Sequence, residues 1–482
     1  MRKNILFILP DQLRADFCGC NGADFIKTPH IDKLAEEGVR YSQAISPSPA
    51  CVPARASMLT GRSPMENRVI DNTKWLRPDH DEMGIQTWAS QLAEKGYHTA
   101  AIGKMHFYPW DISEGFQHRV IAEDKRHIEI QDDYTMYLKK HGLDRQHGSE
   151  CEGYYENLGA VISNIPEQHQ IDRYVCDETL SYLDCINSEQ PFAMMVGFPG
   201  PHCPYDPAPE VMARMEEVEM PKACPITEDS DKLRARNISD NLCSWNGVDI
   251  TNFTPDKVQK VRLHYAANVQ AIDGYVGEII SKLKEMNIYE NTIIIFSSDH
   301  GDYLGDFGMS GKGHYYESSV RVPLIIRYPG QEPMIFNHSV SLTDLYNTIL
   351  QFGDIEVEDT MDSTTLAPFG KHEKREALWG SNELGWMLRD DKYQYSVYYN
   401  GVRELYDIVN DTQQQTNLLR DDNYSEIAEE MRTELERRVF IAITQGNIDM
   451  VAKAGNLNRE KGMDPFNYEG WKRPYPYSEC QK

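Results

Sequence analysis

The chain has 482 residues, and its 75 acidic side chains outnumber its 49 basic ones, which gives a net charge of −26 at pH 7. This length allows one large domain and a smaller one, and the apolar fraction of 40% is ordinary for a globular enzyme. Because no broad basic surface is available, neither a nucleic acid nor an acidic membrane surface is expected as a partner. No apolar run approaches the roughly 20 residues that cross a bilayer.

The amino terminus resembles a signal peptide superficially, because two cations precede the apolar run Ile5–Leu9. A secretory peptide needs a longer core of about 7–15 apolar residues and a small-residue cleavage site, which does not follow here. We therefore predict a buried first strand. As given, the chain is expected in the cytoplasm, whereas a leader already removed would place it in the periplasm or outside the cell.

Short apolar runs alternate with amphipathic helices through the first three quarters of the chain. One helix is predicted from the N-cap Thr28 and Pro29 to near Gly38, and another over about 258–286. This alternation predicts an α/β fold with a large, mostly parallel sheet flanked by helices on both faces. The runs predicted as its buried strands are Ile5–Leu9, Thr99–Ile102, Phe192–Phe198 and Thr292–Phe296.

Two later regions differ in pattern. Residues 202–256 are rich in Pro, Asn, Asp and Ser with weak periodicity, and we predict a long insertion that lines a substrate cleft. Beyond about 370, short strands separated by turn signals precede a charged helix near 425–444. We expect a catalytic domain over 1–370 and a small C-terminal α+β subdomain over 371–482, made of an antiparallel sheet, one covering helix and a polar tail.

A polar cluster follows each of the four predicted strands. Taken singly, an aspartate after a strand is usually a helix cap, and a lysine or histidine in a loop is usually solvated. Ligands of open α/β sheets bind at the carboxyl ends of the parallel strands, so four such clusters together predict a shared site. The clusters are Asp11-Gln12, Lys104-Met105-His106, Pro201-His202 and Asp299-His300-Gly301.

The segment from Cys51 to Arg62 adds a further candidate. We place Pro53 at the first position of a helix, with Cys51 near its N-cap and Gly61 at its end. A helix N-terminus favours an anion, and Arg55, one turn further on, can contact the same anion. The residues alone leave two other interpretations open: a buried cysteine at an ordinary helix start, and a thiolate nucleophile of lowered pKa. A thiolate nucleophile would be expected to have a dedicated base beside it, whereas the sequence indicates a metal site there instead.

The motif C-x-P-x-R at Cys51, followed by L-T-G-R at Leu59, resembles the maturation and active-site motif of type I sulfatases, in the alkaline phosphatase superfamily. The resemblance covers most of the chain. It implies an alkaline phosphatase-like fold and the hydrolysis of a sulfated saccharide or another small sulfate monoester. The other matching segments are Asn4–Asp11, Thr28–Ala35, Gly103–His106, Gly200–His202, Ser298–Gly301, Lys312, Glu317, Arg321–Leu324 and Leu405–Asp407.

In that family a separate maturation enzyme oxidises the motif cysteine to formylglycine, and a hydroxyl of the aldehyde hydrate attacks sulfur. The resemblance thus implies a maturation enzyme and a small sulfated substrate as partners, and one divalent metal as cofactor. Such a metal lowers the pKa of the attacking hydroxyl and polarises the sulfate. The implied metal ligands are Asp11, Gln12, the modified Cys51, Asp299 and His300.

The resemblance also implies roles around the sulfate. Arg55 and Lys104 are expected to hold the nucleophile and the sulfate oxygens, and His106 to act as the base that triggers sulfate release. His202 and Lys312 are expected to face the leaving oxygen, with His202 as the preferred general acid. These cations and the metal would let a strongly acidic chain bind an anion, because stabilisation in a dry site does not depend on net charge.

Two positions depart from the common arylsulfatase pattern, which has a second Asp in place of Gln12 and Asn in place of His300. Both departures resemble phosphonate and phosphate diester hydrolases and choline-sulfatase-like relatives. An imidazole ligand and fewer carboxylates widen the choice of metal; we expect calcium, with magnesium or manganese as alternatives. A phosphonate monoester or phosphodiester hydrolase is therefore the alternative function. Lys104-x-His106 argues against it, because phosphonate monoester hydrolases carry hydroxyl side chains there.

A third hypothesis is a catalytically silent protein that binds sulfated glycans, in which Cys51 stays unmodified. Three further residues are weaker candidates. Asn72 and His314 are expected in the pocket, whereas His30 matches a helix start and is expected to be structural. The loops expected to contact the organic part of the substrate carry Trp75, Trp110 and, in the tail, Trp471.

Overall fold

The computed structural model of the chain describes residues 2–81, 83–126, 128–186, 190–215, 218–243 and 246–446. The larger of its two sheets has nine strands. They are β1 (Asn4–Ile8), β2 (Val39–Ile45), β3 (His98–Gly103), β4 (His118–Ile121), β5 (Phe192–Gly197), β6 (Thr292–Ser297), β7 (Arg321–Val322), β8 (Leu324–Arg327) and β9 (Met334–Ser341).

Five neighbouring strands of this sheet are parallel, in the order β4-β3-β5-β1-β6. The sheet continues through β8, β2 and β7 with antiparallel pairings, and β9 pairs with β2 in parallel. Every residue of β1, β5 and β6 is buried, as their continuous apolar sequences require. The four predicted strands are β1, β3, β5 and β6, each within one residue of its predicted bounds.

Helices cover both faces of the large sheet. Their bounds are α1 (Pro29–Glu37), α2 (Cys51–Thr60), α3 (Pro64–Asn67), α4 (Trp88–Glu94), α5 (Asp133–Lys140), α6 (Ile171–Cys185), α7 (Pro209–Met212), α8 (Glu228–Cys243), α9 (Pro255–Glu285), α10 (Glu317–Val320), α11 (Asp344–Phe352) and α12 (Ser425–Gly446). One core lies between the sheet and α1, α6 and α9, and a second lies between the sheet and α2, α4 and α11. The predicted α/β fold is confirmed, and α1 begins at Pro29 after Thr28 as predicted.

The insertion predicted over 202–256 includes two helices, α7 and α8, that its weak periodicity did not indicate. α8 has few apolar residues, and of these Leu233 packs in the core. Its buried side also carries Asn237 and Asn241, which both donate to the Ser310 carbonyl, at 2.8 and 3.3 Å. A helix held by buried amides has no apolar stripe, which is why an analysis of hydrophobic periodicity missed it.

A separate four-stranded antiparallel sheet follows, covered on one face by α12. This arrangement confirms the predicted small sheet with one helix. The tail over 447–482, with Trp471, lies outside the described residues, and a domain boundary near residue 370 stays a prediction. The strands, in sheet order, are β10 (Leu378–Asn382), β11 (Gly385–Arg389), β12 (Tyr393–Tyr398) and β13 (Arg403–Asp407).

The other face of the small sheet packs against a loop of the large domain, residues 303–316. The Tyr315 N–H donates to the Tyr398 hydroxyl at 3.1 Å, and the Tyr315 hydroxyl donates to the Gly385 carbonyl at 2.9 Å. These contacts hold in place the loop that carries Lys312. The small sheet therefore supports one wall of the candidate site.

The longest helix, α9, has 31 residues, a length that could cross a bilayer. Charged side chains occur along it from end to end. Across the described ranges, no helix combines the length and the apolar character of a membrane span. The compartment of the protein stays a prediction.

A buried carboxyl group joins the small sheet to the large domain. Glu404 of β13 accepts hydrogen bonds from the hydroxyls of Tyr316 (2.6 Å) and Tyr406 (3.0 Å). Burial raises the pKa of Glu404 from 4.5 to about 7, because the charged form loses its hydration. The folded-state pKa exceeds the unfolded one, so the contribution to stability is complete below pH 4.5 and is lost as the pH rises through 7.

We predict that Glu404→Gln, which keeps the shape and one acceptor oxygen, removes this pH dependence. The free energy of unfolding of the variant minus that of the wild type should increase by about 3 kcal/mol from about pH 4.5 to pH 8, because only the wild type loses stability over this range. Urea unfolding at several pH values measures the difference. Glu430→Gln, on an exposed position of α12, is the control, and a difference for Glu404→Gln that does not change with pH would contradict the assignment.

Candidate active site

The four predicted clusters meet at the carboxyl edge of the parallel strands. Asp11, Lys104, His202 and Asp299 follow β1, β3, β5 and β6. The Lys104 Nζ lies 3.0 Å from Asp11 Oδ2, and His202 Nε2 lies 4.0 Å from Asp11 Oδ1. The structure thus brings the clusters together, as the topology predicts.

Two glycines allow the ends of β3 and β5 to approach closely. Gly103 has a φ of +95°, and a Cβ there would lie 2.1 Å from the carbonyl oxygen of Gly197. A Cβ on Gly197 would lie equally close to the carbonyl oxygen of Lys104. Because both are glycine, the Lys104 N–H can donate to Gly197 at 2.8 Å, which directs Lys104 into the site.

Four side chains could together hold a metal ion: those of Asp11, Cys51, Asp299 and His300. One ligand atom of each lies within 4.8 Å of the others, and all four residues are buried. His300 Nε2 is 3.1 Å from Cys51 Sγ, which is 3.8 Å from Asp11 Oδ1. Two carboxylates that converge in a buried site favour a cation between them, and carboxylate and imidazole donors suit a divalent ion. These residues therefore fit the metal implied by the sequence.

Arg55 is the side chain that links the two carboxylates. Its Nε donates to Asp299 Oδ2 at 2.8 Å, and its Nη2 donates to Asp11 Oδ2 at 3.0 Å. Its Nη1 donates to the Lys104 carbonyl at 2.5 Å. The residue is 1% exposed, so its loss would leave buried charges unpaired. The rigid guanidinium thus orients both carboxylates, and a contact of Arg55 with sulfate stays a prediction.

The surrounding cations keep both carboxylates ionised. Burial and the neighbouring Asp299 would raise the pKa of Asp11, but the cations around it, led by Lys104, hold it below its ordinary value. Burial likewise opposes the ionisation of Asp299, yet His300 and Arg55 hold its pKa far below the usual range. Both groups are charged at neutral pH, which is the state that binds a metal ion.

Cys51 is the first residue of α2 rather than its cap. The N-cap is Ala50 and Pro53 takes the third helical position, so the prediction of Pro53 at the first position was wrong by two residues. Ala50 has no polar side chain, and the Val52 N–H donates instead to Asn72 Oδ1 at 3.1 Å. A side chain from a distant loop therefore satisfies the helix terminus in place of a local cap.

The thiol of Cys51 lies in a positive environment. Burial and Asp11 would raise the pKa of this thiol. Lys312, His300 and Lys104 outweigh both, so the pKa lies below its ordinary value of 9.0. The N-terminus of α2 adds to the positive potential. Position 51 is therefore suited to a negatively charged or strongly polar side chain.

Lys104 is buried between two carboxylates, one of which the sequence analysis missed. Its Nζ lies 3.0 Å from Asp11 Oδ2 and 2.7 Å from Asp124 Oδ2. The Asp124 carboxylate also accepts two hydrogen bonds from the Arg126 guanidinium group, at 2.9 and 3.0 Å. Asp124 and Arg126 follow β4, a short edge strand that is only half-buried and so gave no strand signal. A fifth cluster at a strand end thus belongs to the site.

His202 and Lys312 form a hydrogen-bonded pair. His202 Nδ1 lies 2.6 Å from the Cys203 carbonyl oxygen, which can only accept, so Nδ1 carries the ring proton. Nε2 is then the acceptor for Lys312 Nζ at 2.8 Å. Burial, with Lys312 and Arg126, holds the pKa of His202 well below its usual range. His202 Nε2 therefore accepts a hydrogen bond from Lys312 and has no proton of its own to donate in this arrangement.

The resemblance implied Gln12 as a metal ligand. In the structure, both the oxygen and the nitrogen of its carboxamide group form hydrogen bonds with other side chains. Its Oε1 accepts from Lys312, and its Nε2 donates to Asp302. Asp302 is buried and also accepts from the Tyr205 hydroxyl at 2.6 Å. The left-handed backbone of Gln12, with a φ of +68°, is uncommon for a side-chain-bearing residue and typical of functional sites. Its role as a metal ligand stays a prediction, and neither Asp302 nor Tyr205 was recognised from the sequence.

His106 is buried close to Lys104 and also has a left-handed backbone, with a φ of +62°. Its N–H donates to the Glu123 carboxylate at 3.1 Å, which fixes the turn after β3. Burial and Lys104 hold the pKa of His106 well below its usual range, so the imidazole is neutral. A neutral imidazole can accept a proton, and the role of His106 as a base stays a prediction.

Two of the weaker candidates, His314 and His30, have different surroundings. His314 is buried, and its Nδ1 lies 3.2 Å from the hydroxyl oxygen of Tyr303. Burial lowers the pKa of His314 to about 3. The ring of His30 fills the space beside Gly277, and the backbone N–H of His30 donates to Asp273 Oδ1 at 3.1 Å. His30 thus stabilises the packing of α1 on α9, as expected of a structural residue.

A cavity of about 290 Å³ opens beside the metal-binding residues. Its walls come from the strand ends, from the loop after α3, from α8 and from the turn between β10 and β11. The insertion after His202 therefore lines a cleft, as predicted. The lining residues are Gln12, Pro49, Ala50, Ile70, Asp71, Asn72, Thr73, Arg126, His202, Cys203, Asn237, Asp240, Asn241, Asn246, Ser310, Gly311, Lys312, Gly313, Asn382, Glu383 and Leu384.

A large, mostly parallel sheet with buried carboxylates at its carboxyl edge is the architecture of alkaline phosphatase-like hydrolases. The sulfatase family model matches residues 3–355, and the chain belongs to this family. A second model, the C-terminal part of N-sulphoglucosamine sulphohydrolase, matches residues 305–439. The protein is therefore an enzyme that hydrolyses sulfate esters rather than a silent glycan-binding protein.

Individual proteins are similar over most of the chain. An arylsulfatase of Clostridium perfringens (strain 13 / Type A) is 28% identical, over 92% of this chain and 95% of its own. A choline-sulfatase of Rhizobium meliloti (strain 1021) is 29% identical, over 86% of this chain and 82% of its own. The crystal structure of the phosphonate monoester hydrolase of Agrobacterium radiobacter matches with a TM-score of 0.77 at 22% identity, over 91% of this chain and 96% of its own, which shows the shared fold.

We predict that Asp299→Asn, which keeps the side-chain volume but removes the charge, lowers the affinity for calcium or manganese at least about 100-fold. Elemental analysis after equilibrium dialysis measures the bound metal. Asp240→Asn changes a carboxylate of the same cavity outside the metal-binding group and is the matched control. Equal metal content in the wild type and in Asp299→Asn would contradict the assignment.

Proposed function

We propose that this sulfatase uses formylglycine, made from Cys51 by a maturation enzyme, beside one divalent metal held by Asp11, Asp299 and His300. The position of Cys51 carries this proposal, because its Sγ lies 3.1 Å from His300 Nε2 and 3.8 Å from Asp11 Oδ1, in the first turn of α2. Gln12 is proposed as a further ligand. When bound, the metal would lower the pKa of the attacking hydroxyl and polarise the sulfate oxygens.

Three cations are proposed to bind the sulfate oxygens: Lys104, Arg126 and Lys312. Lys104 and Arg126 share the carboxylate of Asp124, at 2.7 and 3.0 Å. Arg126 and Lys312 both approach His202 Nε2, at 3.3 and 2.8 Å. These shared partners confine the three cations to one small volume. Fixed positive charge in a dry site stabilises the charge that develops in the transition state.

The pair of His202 and Lys312 is proposed to deliver the proton to the leaving oxygen. The sequence favours His202 as the acid, whereas the hydrogen bonds of the structure favour Lys312 as the proton source and His202 as its orienting partner. His106 is proposed as the base for sulfate release. Its neutral state supports that role, since a base needs an unprotonated nitrogen at the working pH.

Calcium is proposed as the metal. The carboxylates of Asp11 and Asp299 and the amide oxygen of Gln12 are hard donors, which calcium, magnesium and manganese all accept. Of these three ions, manganese accepts the imidazole of His300 most readily. Magnesium and manganese are therefore the alternatives.

A saccharide is proposed as the organic part of the substrate. Trp75 packs against Val52 and Ala56 of α2 and stacks on Tyr108, with ring centroids 4.6 Å apart. Tyr108 is 52% exposed, and Trp75 is two residues beyond Thr73, which lines the cavity. The exposed ring of Tyr108, which stacks on Trp75 close in sequence to the cavity-lining Thr73, offers an apolar surface on which a sugar ring can stack.

We predict that the matured protein is about 18 Da lighter than its unmodified sequence, since replacing the Cys51 thiol by an aldehyde oxygen removes that mass. Cys51→Ala, which has neither a thiol nor a hydroxyl to be oxidised to an aldehyde, should keep its unmodified mass and lose at least about a thousandfold in kcat/KM. Intact-protein mass spectrometry and aryl sulfate kinetics measure both. Cys185→Ser, at an exposed cysteine, is the control, and full activity at the unmodified mass would overturn the proposal.

Hydrolysis of phosphonate monoesters is the second candidate, because a phosphonate monoester hydrolase shares the fold. A sulfate ester presents three terminal oxygens to Lys104, Arg126 and Lys312, whereas a phosphonate monoester presents two and a carbon substituent. That substituent would displace one of the cations from its oxygen. The proposed cation site therefore favours sulfate.

We predict that kcat/KM for 4-nitrophenyl sulfate exceeds that for 4-nitrophenyl phenylphosphonate by at least about tenfold, the effect of one lost hydrogen bond of roughly 1.4 kcal/mol. The two substrates share a leaving group and a single negative charge, so the comparison isolates the group that is transferred. Steady-state kinetics on the matured enzyme supply the ratio. A higher kcat/KM for the phosphonate would make that reaction the principal one.

A further inference from the structure

The residues that line the cavity include two sets of charged side chains, one basic and one acidic. Arg126 and Lys312 line the region next to the metal-binding residues. Asp71, Asp240 and Glu383 line the remainder, and we call these three carboxylates the acidic rim. A ligand whose sulfate contacts the cations extends its organic part along a surface that carries the acidic rim.

The acidic rim is assembled from three distant segments. Asp71 lies in the loop after α3, Asp240 on α8, and Glu383 in the turn between β10 and β11. The Glu383 N–H donates to the Ile70 carbonyl at 3.0 Å, which fixes this turn beside Asp71. The Asp71 carboxylate accepts the Thr73 N–H at 2.6 Å. Both carboxylates are thus held at the cavity by backbone contacts.

The rim has more negative charge than its own cations compensate. Arg236 pairs with Asp240 at 2.7 Å, and Lys74 lies 3.8 Å from Asp71. Within the described part of the chain, no Lys, Arg or His nitrogen approaches the Glu383 carboxylate to within 4.0 Å, as an ion pair requires. Burial and the nearby Asp71 raise the pKa of Glu383, so a positive group beside Glu383 would relieve like-charge repulsion.

The side-chain amides of neighbouring asparagines already form hydrogen bonds within the protein. The carboxylates of the acidic rim are therefore the groups that can contact a ligand. Asn382 donates to the Gly313 carbonyl at 2.7 Å and accepts from the Leu384 N–H at 2.9 Å. Asn237 donates to the Ser310 carbonyl at 2.8 Å and accepts the N–H of the same residue at 3.1 Å. These amides shape the wall, and the rim supplies its charge.

We propose that the cavity selects sulfate esters whose organic part carries an ammonium group, such as an amino sugar with a free amine, and that Glu383 is the specificity-determining residue. This inference rests on the proposed sulfatase site and adds the charge of the substrate to it. A zwitterionic ligand matches the cations at one end of the cavity and the carboxylates at the other. An anionic organic part is repelled by the same rim.

Three aryl sulfates test the inference, with CH₂CH₂NH₃⁺, CH₂CH₂OH or CH₂CH₂COO⁻ in the position para to the sulfate. Two methylene groups insulate the charge from the phenol, so the three leaving groups have nearly equal reactivity. We expect kcat/KM to fall from the ammonium to the hydroxyl to the carboxylate compound, with about tenfold between the ends of the series. A carboxylate compound that reacts as fast as the ammonium compound would overturn the proposal.

Glu383→Gln supplies the second arm. This variant should lower kcat/KM for the ammonium compound several-fold more than for the hydroxyl compound, because the charge of Glu383 is removed. Glu430→Gln, on an exposed position of α12, is the matched control. An unchanged ratio of ammonium to hydroxyl compound in Glu383→Gln would exclude Glu383 as the specificity-determining residue.

Binding separates this inference from the proposed chemistry. Calorimetric Kd values of the three compounds on Cys51→Ala, which has neither a thiol nor a hydroxyl to be oxidised to formylglycine, should follow the same order. If no compound is hydrolysed by the matured enzyme but the order of Kd values holds, the proposed reaction fails and the charge selectivity stands. If hydrolysis is rapid and neither kcat/KM nor Kd depends on the substituent, the reaction stands and the selectivity fails.

Discussion

The repulsion between two buried carboxylates is the constraint on which the rest of the site depends. Asp11 and Asp299 follow adjacent strands of the sheet and converge on one point where water is excluded. Such a pair is stable only if positive charge surrounds it. Arg55 links the two from one side, and Lys104 approaches Asp11 from another. His300 and the side chain at position 51 are the two further groups that would hold a divalent ion together with these carboxylates.

The same constraint gives an acidic protein an anion-binding site. Lys104 lies between Asp11 and Asp124, and Arg126 also pairs with Asp124, so each of these two cations is held by a carboxylate. A cation fixed in this way keeps its charge without solvent and presents its remaining donors to a ligand. The net charge of −26 therefore does not prevent sulfate binding. The carboxylates of the acidic rim would instead discriminate among sulfate esters by the charge of their organic part.

Much of this arrangement was predictable from the sequence, because it depends on local patterns and on topology. Continuous apolar runs identified β1, β3, β5 and β6, and the rule that parallel strands share a carboxyl edge placed Asp11, Lys104, His202 and Asp299 together. What the sequence could not supply depends on contacts between distant segments. The side chain of Asn72, and not that of the N-cap Ala50, accepts a hydrogen bond from the first turn of α2. Helix α8 is held by buried amides rather than by an apolar face, and β4 is too short and only half-buried, so it did not reveal Asp124 and Arg126.

The most direct test is the anomalous diffraction of crystals of the matured enzyme containing manganese. The account predicts one strong peak within about 2.5 Å of oxygens of Asp11 and Asp299, with His300 Nε2 and an oxygen of residue 51 completing the shell. A peak elsewhere in the molecule, or a residue 51 turned away from the metal, would contradict it.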